Sequence, residues 1–85
     1  MEIMMYVKPG CPFCNSAQKF FDEKNLEYKT INYFEINRDE MDGLMKKTNN
    51  WPTAPMIFID GNFYGGYQDL LKLDISGKLD EILKK

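Results

Sequence analysis

The stretch Lys8-Pro9-Gly10-Cys11-Pro12-Phe13-Cys14 holds the only two cysteines of an 85-residue chain, three positions apart, with a proline directly behind the first. Before it runs Ile3 to Val7, IMMYV, a short apolar segment that reads as a buried strand, and Lys8-Pro9-Gly10 reads as the turn that ends it. Pro12 suits the first position of a helix, where a missing N–H costs no hydrogen bond. Cys11 is then the N-cap residue, and Cys14, Ala17 and Phe21 fall on one face of a helix ending near Asn25. Both thiols therefore lie at a strand-to-helix junction, the first step of an α/β sheet.

Working outward, Tyr28 to Phe34 is rich in aromatic and β-branched residues and reads as a second strand, edged by Glu27 and Glu35. Asn37 followed by Glu40 resembles a capping box, and Met41, Leu44, Met45 and Thr48 repeat at helical spacing, which predicts a second helix to about Lys47. Met56 to Ile59 and Asn62 to Tyr64 flank Asp60-Gly61, a dipeptide suited to a tight hairpin because both positions tolerate positive φ. Gly65-Gly66 ends the hairpin. Gln68 to Leu73 starts a short helix, and Ser76 to Leu83 reads as a last amphipathic helix with Leu79, Ile82 and Leu83 inward. The order βαβ, α, ββ, α is that of an α/β sandwich around a central mixed sheet, with the first helix placed by the right-handed βαβ rule. Residues 1–85 contain no repeat, linker or low-complexity segment and read as a single domain.

At this length folding buries roughly 60 to 65% of the surface that the unfolded chain exposes. A hydrophobic fraction of 44%, with six phenylalanines and five tyrosines, still supplies a core without disulfide staples or a structural metal. One cysteine pair closing so small a ring removes only about 2 kcal/mol of unfolded-chain entropy, so a disulfide framework does not explain it. The net charge of −2, with no extended basic run, argues against nucleic acid or an anionic membrane as partners. No apolar run approaches a membrane span, and a start at Glu2 lacks the basic-then-apolar order of a secretory signal, so the expected location is cytoplasmic. A thiol pair in a reducing compartment is more often catalytic or metal-binding than structural.

A nucleophilic cysteine needs something that favours the anion, since a free thiol has a pKa of about 8.5. The chain has no histidine to help. At an N-cap, the Cys11 sulfur faces the unpaired N–H groups of Phe13 and Cys14 and the positive end of the helix dipole, and it is expected there as an exposed thiolate. Lys8 adds a positive charge and a site for a substrate carboxylate, or else is a plain solvated lysine. A separation of three on a helix lets Cys14 reach back to Cys11. The pair then supports a cycle in which Cys11 attacks a disulfide and Cys14 releases it. Half of a zinc site and two inert core thiols are the alternatives.

Taken together, KPGCPFC, then Thr53-Ala54-Pro55, then GGYQDL at Gly65 to Leu70 resemble the three signature segments of the dithiol glutaredoxins, over a match from Ile3 to about Leu71. The resemblance implies a thioredoxin-like sandwich with a four-stranded mixed sheet flanked by helices. It implies a glutathione-dependent thiol-disulfide oxidoreductase that reduces protein disulfides and glutathione mixed disulfides. Glutathione is then the reducing co-substrate, no metal is expected, and the chain acts as a monomer on disulfide-bonded or glutathionylated proteins. Cys11 maps onto the nucleophile and Cys14 onto the resolving cysteine.

The resemblance also implies that Pro55 is cis and that the Ala54 backbone pairs with the cysteinyl backbone of glutathione; a trans Pro55 ahead of a strand is the ordinary alternative. Main-chain N–H groups of Gln68 and Asp69 would meet the γ-glutamyl carboxylate, the Asp69 side chain its ammonium, and Lys8 the glycyl carboxylate. Phe13, Thr53, Gly66 and Tyr67 complete the expected glutathione site. Gly65-Gly66 as a simple turn and Asp69 as a first-turn acid that suits the dipole are the plainer readings. Phe13 stands where the family commonly has tyrosine, Ala54 where it has valine, and Trp51-Pro52 is unusual: an exposed Trp51 would shape protein-substrate preference, against a core or lid aromatic. The strand-two aromatics read as core and Lys84-Lys85 as a solvated helix end. Two other functions fit the residues: a dimer bridging a 2Fe-2S cluster through Cys11 and glutathione, against which Pro12 weighs, and a glutathione-independent redoxin.

Overall fold

The structure, a computed structural model, describes residues 2–83. Its elements are β1 (Ile3–Val7), α1 (Pro12–Glu23), β2 (Lys29–Asn32), α2 (Arg38–Thr48), β3 (Met56–Ile59), β4 (Asn62–Gly65), α3 (Tyr67–Ile75) and α4 (Lys78–Leu83). The strands form one mixed sheet in the order β2-β1-β3-β4. β1 runs parallel to β2, with Met5 opposite Thr30, and antiparallel to β3, with Met5 opposite Ile57. β3 and β4 form the hairpin around Asp60 (φ +51°) and Gly61 (φ +83°), the two positive values that a primed turn requires.

Period-two alternation divides the strand residues between two layers. Ile3, Met5, Ile57 and Ile59 pack with Ala17 and Phe21 of α1, Leu70 of α3 and Leu79 of α4. On the opposite face, Met56 and Phe58 pack with Leu44 of α2, and Met4, Tyr6 and Phe63 lean against them. β3 is buried at all four residues because helices cover both of its faces, which is why MIFI shows no polar alternation. α1 presents Cys14, Ala17 and Phe21 inward, the face read from their spacing.

Element ends depart from the sequence expectation for local reasons. α1 stops at Glu23, ahead of Asn25, which adopts φ +57°. β2 is four residues long, not seven. Tyr28 lies outside it, its ring 5.8 Å from that of Phe21 and its hydroxyl donating to Asp22 Oδ1 at 3.0 Å. At the other end the Asn32 side chain accepts from the Phe34 N–H at 3.0 Å and turns the chain out of the sheet. α2 has the expected Asn37 cap, whose Oδ1 accepts from the Glu40 N–H at 2.8 Å. α3 begins at Tyr67 and runs to Ile75, and Gly77, at φ +81°, separates it from α4, so the last helix starts at Lys78 and not at Ser76. Lys84-Lys85, read as a solvated helix end, lies outside the described residues.

Candidate active site

Cys11 is the N-cap of α1 and Pro12 its first residue. The Cys11 sulfur accepts the Cys14 N–H at 3.2 Å, one of the two donors that its N-cap placement predicted. Both cysteines are free thiols. The expected exposure is not found: Cys11 is 5% exposed. Ala54, Val7 and Tyr33 pack around the two cysteines, and the Cys11 thiol donates to the Ala54 carbonyl at 3.7 Å. An N-cap position looks outward on an isolated helix; here the loop before β3 closes over it.

Cys14 is 1% exposed. Burial, then the Cys11 sulfur beside it, pushes its thiol up to about 11, against the opposing pull of Lys8. The two thiols are thus chemically unequal. Near neutral pH Cys14 is therefore held as the thiol, and the thiolate is the form that alkylates. Iodoacetamide is expected to label Cys11 more than about tenfold faster than Cys14 between pH 7 and 8, with the gap narrowing as the pH approaches 11. Peptide mass spectrometry of partially labelled protein reads the order; equal labelling would contradict it.

The Ala54–Pro55 peptide is cis, as the resemblance implies. Thr53 is exposed, whereas Ala54 and Pro55 are buried. Along this segment runs a groove of about 250 Å³. Thr53 and Ala54 form one side of it, Gly66, Gln68 and Asp69 the other, and Phe13 and Tyr67 contribute aromatic rings. Those two rings stack at 6.2 Å and 29°, with Phe13 54% exposed, so the phenyl keeps an apolar face without a hydroxyl. Lys8, Cys11, Cys14 and Pro55 do not line the groove, and Cys11 meets it only through its contact with Ala54. A larger depression, about 730 Å³, lies between Asp22 and Tyr28 and touches neither thiol.

At the far end Gly66 is the N-cap of α3, and Asp69 folds back so that its Oδ2 accepts from the Gly66 N–H at 3.0 Å. This is the dipole-complementing acid of the plainer reading. It also fixes the carboxylate at the start of α3, whose first-turn residues Gln68 and Asp69 line the groove.

Two residues carry more than their sequence suggested. Tyr33, read as core, packs against the thiols because its N–H bonds the Val7 carbonyl at 2.9 Å, at the end of the parallel β1–β2 pair. Parallel α/β sheets commonly site function there, which was the available signal. Trp51 is half-buried, not exposed, and lines the groove.

A mixed four-stranded sheet with helices on both faces, a Cys-x-x-Cys pair opening the first helix and a cis-proline loop beside it define a thioredoxin-like α/β protein. The glutaredoxin family model matches residues 3–64. Glutaredoxin 1 of Rickettsia prowazekii is 35% identical over 82 residues, covering 96% of this chain and 86% of that one. The solution structure of glutaredoxin from Brucella melitensis superposes with a TM-score of 0.79 at 33% identity, covering 99% of this chain and 89% of that one. The crystal structure of a buckwheat glutaredoxin-glutathione complex gives 0.83 at 26%, covering 96% and 76%. The chain belongs to the glutaredoxin family and has that family's thiol-disulfide oxidoreductase role. Among the described residues, no helix is long and apolar enough to cross a membrane, and no group of three or more His, Cys, Asp or Glu residues is arranged to hold a metal ion.

Proposed function

We propose that residues 1–85 form one glutaredoxin domain that uses glutathione to reduce protein disulfides and glutathione mixed disulfides, as a cytoplasmic monomer. The observation that carries this reading is the groove joining Ala54, next to the Cys11 sulfur, to the start of α3. It offers a tripeptide thiol backbone at the Ala54 end for strand-like pairing and first-turn N–H groups at the α3 end for a carboxylate.

Cys11 attacks as thiolate. Ionisation removes the S–H donor and sets the Ala54 carbonyl dipole against an anion, so the sulfur leaves that contact and turns toward the groove, while the Cys14 N–H bond strengthens with the charge. The Ala54 carbonyl is then open to the cysteinyl N–H of glutathione. The attack forms a Cys11–glutathione disulfide and expels the protein thiolate. A second glutathione thiolate attacks the bound glutathione sulfur, forming glutathione disulfide and releasing the Cys11 thiolate; by the other route Cys14, after losing its proton, attacks the Cys11 sulfur, expels glutathione thiolate and forms a Cys11–Cys14 disulfide that two further glutathiones reduce. Gln68 and Asp69 N–H groups take the γ-glutamyl carboxylate, Asp69 the ammonium, and Lys8 the glycyl carboxylate.

A coupled assay tests the reading: wild-type protein, glutathione, glutathione reductase and a small glutathione mixed disulfide. Turnover that saturates with the mixed disulfide is expected. If a flavoprotein reductase of the thioredoxin type reduces the oxidised protein and glutathione does not, the proposal is wrong.

A further inference from the structure

Trp51 is a partition. On one side its indole lines the 250 Å³ groove just described; on the other it lines an adjoining groove of about 570 Å³ between β4 and α3. The second groove is floored by Trp51, Phe63 and Leu73 and flanked by Lys72 and Lys78. We propose that this second groove is a docking subsite for the protein substrate, taking a large apolar side chain with a neighbouring carboxylate. The inference rests on the proposed function, since it extends the same site to the protein half of the substrate.

Four observations support that occupant. The two grooves adjoin at Trp51 and Asp69, which line both, so the second lies next to the groove that starts at Ala54 beside Cys11. Its size falls within the range of ligand-binding clefts, whereas the first is smaller than most. Its floor is apolar, with the Trp51 and Phe63 rings edge to face at 5.3 Å. Finally, its charge is local and unspent. The chain carries −2 overall, yet Lys72 and Lys78 have no carboxylate within 4.0 Å among the described residues, the salt bridges there being Lys24–Asp74 and Lys29–Glu2. Asp69, the one carboxylate in the lining, accepts the Gly66 N–H and leaves two ammonium groups facing a single negative charge.

The Trp51 Nε1–H adds an unmet donor. It is buried beside Gly66 with no acceptor, a rare condition for a buried N–H. A small turn of the ring against Phe63 presents it to a carboxylate entering between the grooves. Phe63 and Leu73 then take the apolar side chain, and Lys72 and Lys78 hold the acid in register.

Trp51 is the only tryptophan and lines both grooves, so its emission reads the second groove once the first is held saturated with glutathione. The full chain is titrated with a cysteine-free peptide carrying adjacent Phe and Glu, and with the same peptide carrying Ala and Gln. A saturable change is expected with the first, retained at saturating glutathione and weakened about tenfold or more by Lys72→Glu/Lys78→Glu, both exposed positions outside the glutathione groove. No saturable change, equal binding of the two peptides, equal binding by the charge-reversed variant, or displacement by glutathione would each overturn the subsite. Peptide binding by a protein that fails the coupled mixed-disulfide assay would leave the subsite standing and remove the glutathione reading instead.

Discussion

Replacing Cys11 with serine is expected to abolish reduction of both protein disulfides and glutathione mixed disulfides, by about a thousandfold or more, because no other group in the cycle can form the mixed disulfide. A serine hydroxyl keeps the N-cap geometry and accepts the same Cys14 N–H, so the helix survives while the nucleophile does not. Cys14→Ser separates the two activities. Reduction of a small glutathione mixed disulfide persists within a few-fold, since free glutathione resolves the intermediate, whereas protein-disulfide reduction by the dithiol route falls by roughly a hundredfold. Cys14 is the only other thiol in the chain, so without it a protein held on Cys11 must be released by glutathione from outside. The measurement is a paired assay, insulin reduction beside mixed-disulfide turnover, for wild type and both serine variants. Equal loss in the two variants would reverse or erase the assignment of roles.

The legible parts of the molecule were those written in local chemistry. Asp60-Gly61 named its own turn, Asn37 its own cap, and Pro12 fixed the start of α1 to the residue. The alternation of β3 was masked by burial on both faces, yet its bounds were readable from the turn residues around it. What did not show depended on contacts between distant segments. The closing of the Ala54 loop over Cys11 joins residues 43 positions apart, and an N-cap sulfur that local rules place in solvent ends up buried. The cis form of Ala54–Pro55 came from the family resemblance; the residues themselves favour neither its presence nor a reason for it. The strand-two aromatics gave no hint that Tyr33, bonded to Val7 just past the end of β2, would stand against the thiols; the one signal was its place at the end of a parallel pair. Trp51, read as either an exposed, substrate-facing aromatic or a core or lid one, is half-buried and lines two grooves, so burial alone does not choose between those roles.

Gly65 and Gly66, equivalent in sequence, should behave differently when each is changed to alanine. Gly65 sits at φ +99°, where an L side chain is strained, and a Cβ there would lie 2.5 Å from Asp69 Oδ2 and 2.8 Å from its Cγ. Two penalties combine. Backbone strain of this kind costs about 1 to 3 kcal/mol. Pushing the carboxylate aside also breaks its bond to the Gly66 N–H, a capping interaction worth about 1 kcal/mol. Gly66 has φ −100°, and its added Cβ would meet nothing closer than the Pro55 carbonyl at 3.5 Å, an ordinary contact. Gly65→Ala is therefore expected to lower unfolding stability by about 2 to 4 kcal/mol, and Gly66→Ala by less than about 1 kcal/mol, the usual loss for alanine at a helix N-cap. For a domain this small the first change shifts the midpoint of thermal unfolding by about 10 °C or more, which a calorimetric scan resolves easily. The functional consequence follows from the same displacement: with Asp69 moved, the carboxylate proposed to meet the γ-glutamyl ammonium is misplaced, and KM for the small mixed disulfide should rise in Gly65→Ala at temperatures where the variant is still folded. A Gly65→Ala protein as stable as Gly66→Ala would mean that the Asp69 side chain is free to move, and that the start of α3 is not the fixed corner on which the proposed glutathione contacts depend.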